Sequence, residues 1–413
     1  MTMKRVVITG MGVISPLGND VHTFWKHLTE GKSGISIIDS FDVSGSKTKI
    51  AGTVRDFDAE ERWGRKEARK LDRFSQFALA AAEQALESSG IQLEQIDRER
   101  LGVYVGSGIG GITTLIDNVR TLNERGARKV SPSLVPMMIS NAAAAQISIR
   151  LGALGPSLSP VTACSIGNTS IGEAFNAIRN DDADIMFAGG AEAAITNLSL
   201  ASFGNAHALS ARNEDPAAAS RPFDADRDGF VMSEGAGIVV LESLDNAISR
   251  NAPILCEVLG YGASSDAYHM VATHPEGTGA YLAMKNALKK AKVSAEDIDV
   301  VSAHATSTKA GDLSETLAIK KLFGELAYDI PVTANKSMLG HMLGAAGGVE
   351  AIALTESLRH GIIPPTINLQ TPDSACDLDY VSDGPRQQSL TIGLSNSFGF
   401  GGHNSAIILK KYE

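Results

Sequence analysis

At 413 residues, with 43% apolar and 20% charged residues, the chain has a globular composition and the length of two domain-sized units. Its formal charge of -10 argues against a nucleic-acid binder that works by phosphate neutralisation, though a local basic patch could still meet an acidic partner. No apolar stretch approaches the length of about 20 residues that spans a bilayer, and Cys164, Cys256 and Cys376 stand apart with no CxxC spacing, which points to a reducing cytoplasm rather than to disulfides or a zinc knuckle.

Lys4 and Arg5 followed by VVITGMGVI could pass for a weak leader, but Gly10, Gly12 and Pro16 break the apolar run, which predicts a first buried strand. GMGVIS (10 to 15) nearly matches the dinucleotide fingerprint G-x-G-x-x-G, with Ser15 in the place of the third glycine; a nicotinamide-dependent dehydrogenase rests on this match alone. Residues 62 to 73, RWGRKEARKLDR, put Arg62, Arg65, Lys66, Arg69, Lys70 and Arg73 on about three helical turns. That is either a solvated helix face or a docking surface for an acidic partner, and Arg125, Arg128 and Lys129 form a smaller cluster. Residues 110 to 150 and 200 to 235 read as loop-rich, the place for an insertion that shapes substrate or forms a dimer.

The strand SLSPVTA stops at Cys164, and SIGNTSIGEAFNAIR after it has helical spacing, with Ile171, Ala174, Phe175 and Ile178 on one face. A thiol at a helix N-terminus feels the positive end of the backbone dipole, which predicts a lowered pKa and a nucleophile. The alternative is a buried structural cysteine. Cys256, inside an apolar strand, and Cys376, in DSACDLD, lack this context. His304 ends the strand VVSAH and is followed by Thr306 and Thr308, so its ring can project into a cleft beyond the sheet edge. In NKSMLGHMLGAAGGVEAI, His341 sits among glycines with Lys336 and Glu350 bracketing the turn. SNSFGFGGHN (395 to 404) is either a plain glycine turn or a mobile loop that presents a backbone N-H while Phe400 swings as a plug.

The chain also resembles itself. RVVITGMG (5 to 12) pairs with CEVLGYG (256 to 262), residues 82 to 107 with 284 to 307, and PVTACS (160 to 165) with PVTANKS (331 to 337). Each half reads as alternating strands and helices, an α/β pattern with the boundary near residue 250: a nucleophile-bearing half, 1–250, and a half carrying both histidines, 251–413. Duplication places Cys164 and the Lys336 to His341 segment at equivalent ends of two related halves, facing one another across a pseudo-twofold axis. A zinc site is the rival reading of one cysteine and two histidines, but the spacings fit no familiar zinc pattern and a fourth ligand is not apparent.

Together these elements resemble the β-ketoacyl-acyl-carrier-protein synthases of the thiolase superfamily. The similarity runs through residues 8 to 18, KEARKLDRF (66 to 74), GSGIGG (106 to 111), VTAC (161 to 164), RPFDADRDGFVMSEGAG (221 to 237), KSMLGHMLGAAGG (336 to 348) and SNSFGFGGHN. The resemblance implies a thiolase-like, duplicated five-layered α-β-α-β-α sandwich and a homodimer with neither metal nor resident cofactor. Phosphopantetheine would arrive on an acyl carrier protein. It implies a Cys-His-His triad mapping onto Cys164, His304 and His341, with Cys164 carrying the acyl chain and both imidazoles donating to the enolate left when a malonyl thioester loses CO2. The N-H groups of Cys164 and Phe400 would form the oxyanion hole. Lys336 and Glu350 would support the triad, Thr306 and Thr308 would contact pantetheine, Ile109, Phe203 and Phe400 would line the acyl pocket, and Arg65, Lys66, Arg69 and Lys70 would receive the carrier. A degradative thiolase would need a second reactive cysteine in a C-x-G turn near the C-terminus, whereas Cys376 sits in A-C-D; a non-catalytic chain-length partner subunit would lack Cys164. Ala305 stands where the family commonly has glycine, and Asn335 and Leu339 replace usual threonines, which bears on pocket shape and chain-length preference.

Overall fold

The computed structural model describes residues 3–413, and among them ten strands form one sheet. Five come from the first part of the chain: β1 (Val6–Ile14), β2 (Leu101–Gly106), β3 (Ser157–Leu158), β4 (Ile185–Glu192) and β5 (Gly235–Ser243). Five follow: β6 (Cys256–Ser265), β7 (Val300–Ser302), β8 (Val332–Thr333), β9 (Ile392–Gly399) and β10 (His403–Lys411). Outward from the centre the first set runs β1-β5-β4-β2-β3 and the second β6-β10-β9-β7-β8, the same order twice.

Directions repeat as well. β2 is parallel to β3 and β4, with β4-β5 and β5-β1 antiparallel; β7 is parallel to β8 and β9, with β9-β10 and β10-β6 antiparallel. The two sets meet where Val6, Val7 and Ile8 pair with Val258, Glu257 and Cys256. Exchanging the sets maps this pairing onto itself, so a pseudo-twofold axis passes between Val7 and Glu257.

The helices complete the layers: α1 (Arg73–Ser89), α2 (Ile112–Arg125), α3 (Ala142–Leu151), α4 (Ile166–Arg179), α5 (Thr278–Ala291), α6 (Lys309–Phe323) and α7 (Ala346–His360). α1 and α3 cover the outer face of the first set, α5 with α6 that of the second, and α4 and α7 lie between, packed on each other and on strands of both sets. The order is α-β-α-β-α. Every residue of α7 from Ala346 to Leu358 is buried, as a helix covered on all sides requires. α4 and α7 touch backbone to backbone: a Cβ on Gly347 would lie 2.5 Å from the amide nitrogen of Asn168.

The repeated Gly-x-Gly has a packing cause. A Cβ at Gly10 or Gly12 would overlap the carbonyl oxygen of Ala85 or Ala81 in α1, and one at Gly260 or Gly262 that of Ala287 or Ala283 in α5. In both sets the glycines admit a helix backbone onto the central strand. The near-match to a dinucleotide fingerprint is therefore this close approach.

Two expectations are corrected. Residues 112 to 151 are mostly helical rather than loop-rich. The basic run is not one helix: Gly64, at φ +77°, separates Ala59–Trp63 from Arg65–Ala68, and Arg73 turns away to bond Glu234 at 3.0 Å.

Candidate active site

Between β3 and α4 the chain makes a tight elbow. Ala163 adopts φ +50°, a single 3-10 turn spans Ala163–Ser165, and α4 begins at Ile166. The second set repeats the elbow with Leu343 at φ +49°, a 3-10 turn over Leu343–Ala345 and α7 from Ala346. The counterpart of Cys164 is thus Gly344. Pairing PVTACS with PVTANKS sets the Lys336 to His341 segment opposite Cys164; instead the second set interposes the short helix Lys336–Leu339 before its elbow, and His341 lies between that helix and the elbow.

β9 lies across the Cys164 elbow. Ser397 Oγ donates to the Cys164 carbonyl at 3.1 Å, a Cβ on Gly399 would come within 2.9 Å of the Cys164 nitrogen, and the N-H groups of Cys164 and Phe400 are directed at the sulfur. The thiol is buried, and burial pushes its pKa up to about 12, with the Glu192 carboxylate adding to the rise while the Lys336 ammonium and the two N-H groups oppose it. This reverses the lowered value expected from the helix terminus. Desolvation outweighs the favourable dipoles, so the free thiol holds its proton at neutral pH.

A proton acceptor stands nearby. His304 and His341 cross edge to face with ring centroids 5.3 Å apart, His304 against Phe398 at 5.5 Å and His341 against Phe230 at 5.4 Å. Burial, then the charge on Lys336, holds both well below the ordinary imidazole value, so each is neutral at pH 7. A neutral imidazole carries one N-H donor and one acceptor nitrogen.

The surroundings hold the backbone beneath these rings, while Nδ1 of each ring is buried without a hydrogen-bond partner. His341 donates its amide to Val231 O at 2.7 Å and accepts from Ser233 N at 2.9 Å. Glu315, buried in α6, accepts from the amides of His304 and Ala305 at 2.9 and 2.8 Å and from Asn396 Nδ2 at 3.0 Å. Ala305 is thereby held at φ +32°, where a methyl side chain is strained. Lys336 forms a buried ion pair with Glu350, whose carboxyl is pushed up to about 7 by burial against the pull of the ammonium. Glu350 and Lys336, expected to support the triad, both lie off the cavity wall, paired with one another behind it.

Cys164, His304 and His341 open into one cavity of about 400 Å³, whose wall includes Ile109, Phe203 and Phe400. Thr306 and Thr308 also line it, their hydroxyls 3.0 Å apart. Phe400 is 38% exposed, 6.3 Å from Phe203, in a turn whose Gly401 and Gly402 have φ of +83° and +74°. Arg65, Lys66, Arg69 and Lys70 are exposed, with Arg69 beside Glu60 and Lys70 beside Glu67. Cys376 is buried beside Arg227 and does not line the cavity. Among the described residues no group of three or more His, Cys, Asp or Glu side chains is placed to hold a metal ion.

Sequence reasoning missed Glu192 and Glu315. Glu192 ends β4 fully buried and accepts from Ser107 Oγ (2.7 Å), Gly108 N (2.9 Å), Ile109 N (3.2 Å) and Gly344 N (3.1 Å), tying the 107 to 109 loop to the second elbow. A lone carboxylate closing the apolar strand IMFAGGAE was its signal, since such a charge needs partners.

Residues 3–247 match the family described as "Beta-ketoacyl synthase, N-terminal domain" and residues 255–370 "Beta-ketoacyl synthase, C-terminal domain". Proteins named 3-oxoacyl-[acyl-carrier-protein] synthase 2 from Synechocystis sp. and from Staphylococcus aureus (strain COL) are each 47% identical over 99% of this chain and 99% of their own. The one from Coxiella burnetii is 47% identical over 100% of this chain and 99% of its own. Among solved structures, a type II ketosynthase in complex with its acyl-carrier protein and bound to a hexaketide has a TM-score of 0.93 at 34% identity, covering 100% of both chains. A β-ketoacyl synthase from Burkholderia phymatum has a TM-score of 0.92 at 35% identity, again over 100% of both.

Proposed function

The chain belongs to the β-ketoacyl synthase family, and from that premise we propose that it elongates fatty acids by condensing an acyl chain held on Cys164 with a malonyl unit delivered on an acyl carrier protein. The observation that carries the reading is one cavity in which a thiol, with backbone N-H groups directed at its sulfur, faces two neutral imidazoles.

The chemistry follows from those groups. Cys164 Sγ attacks the acyl thioester; its proton passes to a neutral imidazole and on to the departing pantetheine sulfur, leaving an acyl-Cys164 thioester and a free carrier. The N-H groups of Cys164 and Phe400 hold the oxyanion, each preorganised donor contributing about 3 kcal/mol. Malonyl-carrier then loses CO2, and the electron pair of the broken C-C bond becomes an enolate whose oxygen accepts hydrogen bonds from His304 and His341. The enolate carbon attacks the acyl carbonyl, the C-S bond to Cys164 breaks, and the thiolate takes up a proton from solvent, which a sulfur with a pKa of about 12 does readily. A charged imidazole near 7 would have no acceptor nitrogen for the first proton transfer, and burial supplies the neutral form. Lys336 supports this state by its charge.

The reading extends to partners. Phosphopantetheine comes on the carrier, its chain lying along Thr306 and Thr308, and no resident cofactor or metal takes part. The exposed Arg65, Lys66, Arg69 and Lys70 receive an acidic carrier. A second copy of the chain covers the apolar face around the edge strand β3, where Ile149 and Leu154 are 74% and 72% exposed. Among the described residues no helix is long and apolar enough to cross a membrane, and the enzyme works in the cytoplasm. Separate half-reactions test the roles: His304→Ala and His341→Ala should still take an acyl group onto Cys164 but release CO2 from malonyl-carrier at least about 100-fold more slowly. Unimpaired CO2 release in both would remove the histidines from the enolate step.

A further inference from the structure

One motif remains without a role, the Asp72 of KLDRF. α2 starts after Gly111, which has no side chain to cap the helix, and the cap comes from elsewhere: Asp72 Oδ2 accepts from Thr114 N at 3.1 Å and from Thr114 Oγ1 at 2.6 Å. Its other oxygen, Oδ1, accepts from Phe74 N at 3.3 Å and caps α1. One carboxylate, 3% exposed, thus caps two helices that share no loop. Thr114 is the third residue of α2, the amide that an N-cap side chain ordinarily satisfies.

Both helices lead to functional elements. Asp72 lies two residues after the exposed basic segment Arg65 to Lys70, and Gln76 Nε2 binds the carbonyls of Ala68 and Leu71 at 3.0 and 3.2 Å, tying the end of that segment to α1. α2 begins three residues after Ile109, which lines the cavity and whose amide is held by Glu192. The stretch from Ile109 to Thr114 is gripped at both ends by buried carboxylates, with Gly111 N bonded to Met138 O at 2.9 Å between them. Asp72 and Glu192 therefore fix the two ends of the short stretch that carries Ile109.

We propose that Asp72 is a positioning residue that sets the acyl-chain preference of the cavity by anchoring the start of α2, and with it Ile109, to the basic segment. The inference rests on the condensing reading above. Its test uses the full chain with acyl-carrier substrates of short and long chain. In Asp72→Asn and in Thr114→Val, the ratio of kcat/KM for long over short acyl groups should shift by roughly fivefold, the factor that one helix cap makes in an equilibrium. CO2 release from malonyl-carrier, which needs no acyl chain, should stay within about twofold of the parent in both, within the scatter of such comparisons. Thr114→Ser keeps both donors and should restore the parental ratio. Thr114→Val retains the backbone cap and so remains folded should Asp72→Asn fail to fold. An unchanged ratio in a variant that still releases CO2 overturns the proposal, as does a Thr114→Ser chain that behaves like Thr114→Val. Absence of CO2 release from the parent chain would instead strike at the condensing reading itself.

Discussion

Replacing Lys336 by methionine separates the electrostatic role of this lysine from its packing. Lys336 and Glu350 are each 1% exposed and paired with one another, so removing the ammonium leaves a buried carboxylate without its counter-charge, a loss of about 3–5 kcal/mol when Glu350 is ionised. With the lysine present, the folded value of Glu350 is about 7, above its ordinary 4.5; the folded state therefore binds a proton more tightly than the unfolded chain, and this group's contribution to stability falls as pH rises from 4.5 through 7. Without the lysine the value goes higher still. Above pH 7 the variant keeps a proton that the parent has released, and its deficit relative to the parent grows by up to about 1.4 kcal/mol per pH unit until the full loss is reached. Urea unfolding of both chains at pH 6, 7, 8 and 9 measures that slope. The same charge adds to burial in holding His304 and His341 below the ordinary imidazole value, so in Lys336→Met both should rise and the acid limb of Cys164 acylation should move to higher pH. A deficit that stays constant from pH 6 to 9, together with an unmoved acid limb, would refute the assignment of Lys336 as the charge that governs this site.

Glu315→Gln turns an amide N-H toward one of the two backbone donors the carboxylate now satisfies, a cost of about 1–3 kcal/mol, and should slow condensation roughly tenfold while Cys164 is still acylated; equal losses in both steps would show that Glu315 does more than place His304. Gly262→Ala pushes a methyl into the Ala283 carbonyl and should lower stability by about 1–3 kcal/mol, seen as a lower urea midpoint, and a midpoint equal to the parent's would contradict the close seating of α5 on β6. Ala305→Gly relieves the strain at φ +32° and should raise the midpoint by about 1 kcal/mol equivalent, a result that a lowered midpoint would contradict.

The three side chains that share the cavity were legible because each is announced by local pattern: Cys164 where an apolar strand gives way to helical spacing, His304 at the end of a strand, His341 in a glycine-rich turn. The duplication was legible too, since Gly10-x-Gly12 and Gly260-x-Gly262 answer the same demand for helix backbone on a central strand. What was not legible depends on distance through space. The Lys336–Leu339 helix is an addition that only the second half carries, and matching PVTA to PVTA hid it, so the Lys336 to His341 segment was expected opposite Cys164 where the structure has Gly344. The thiol was expected low because its chain neighbours reveal the helix terminus but not the burial that dominates its environment. Gly64 interrupts a basic run that charge spacing alone presents as one helix. Glu192 and Glu315 take their meaning from amides far along the chain, which no window of sequence brings together.

The account stands on Cys164 as the acyl carrier, and intact-protein mass spectrometry after brief incubation with acyl-carrier substrate tests this directly. The parent chain should gain the mass of one acyl group, localised by digestion to the peptide containing Cys164 and discharged when malonyl-carrier is added. Cys164→Ala should gain none and should make no β-ketoacyl product. An adduct on Cys256 or Cys376, or product formation by Cys164→Ala, would contradict the account.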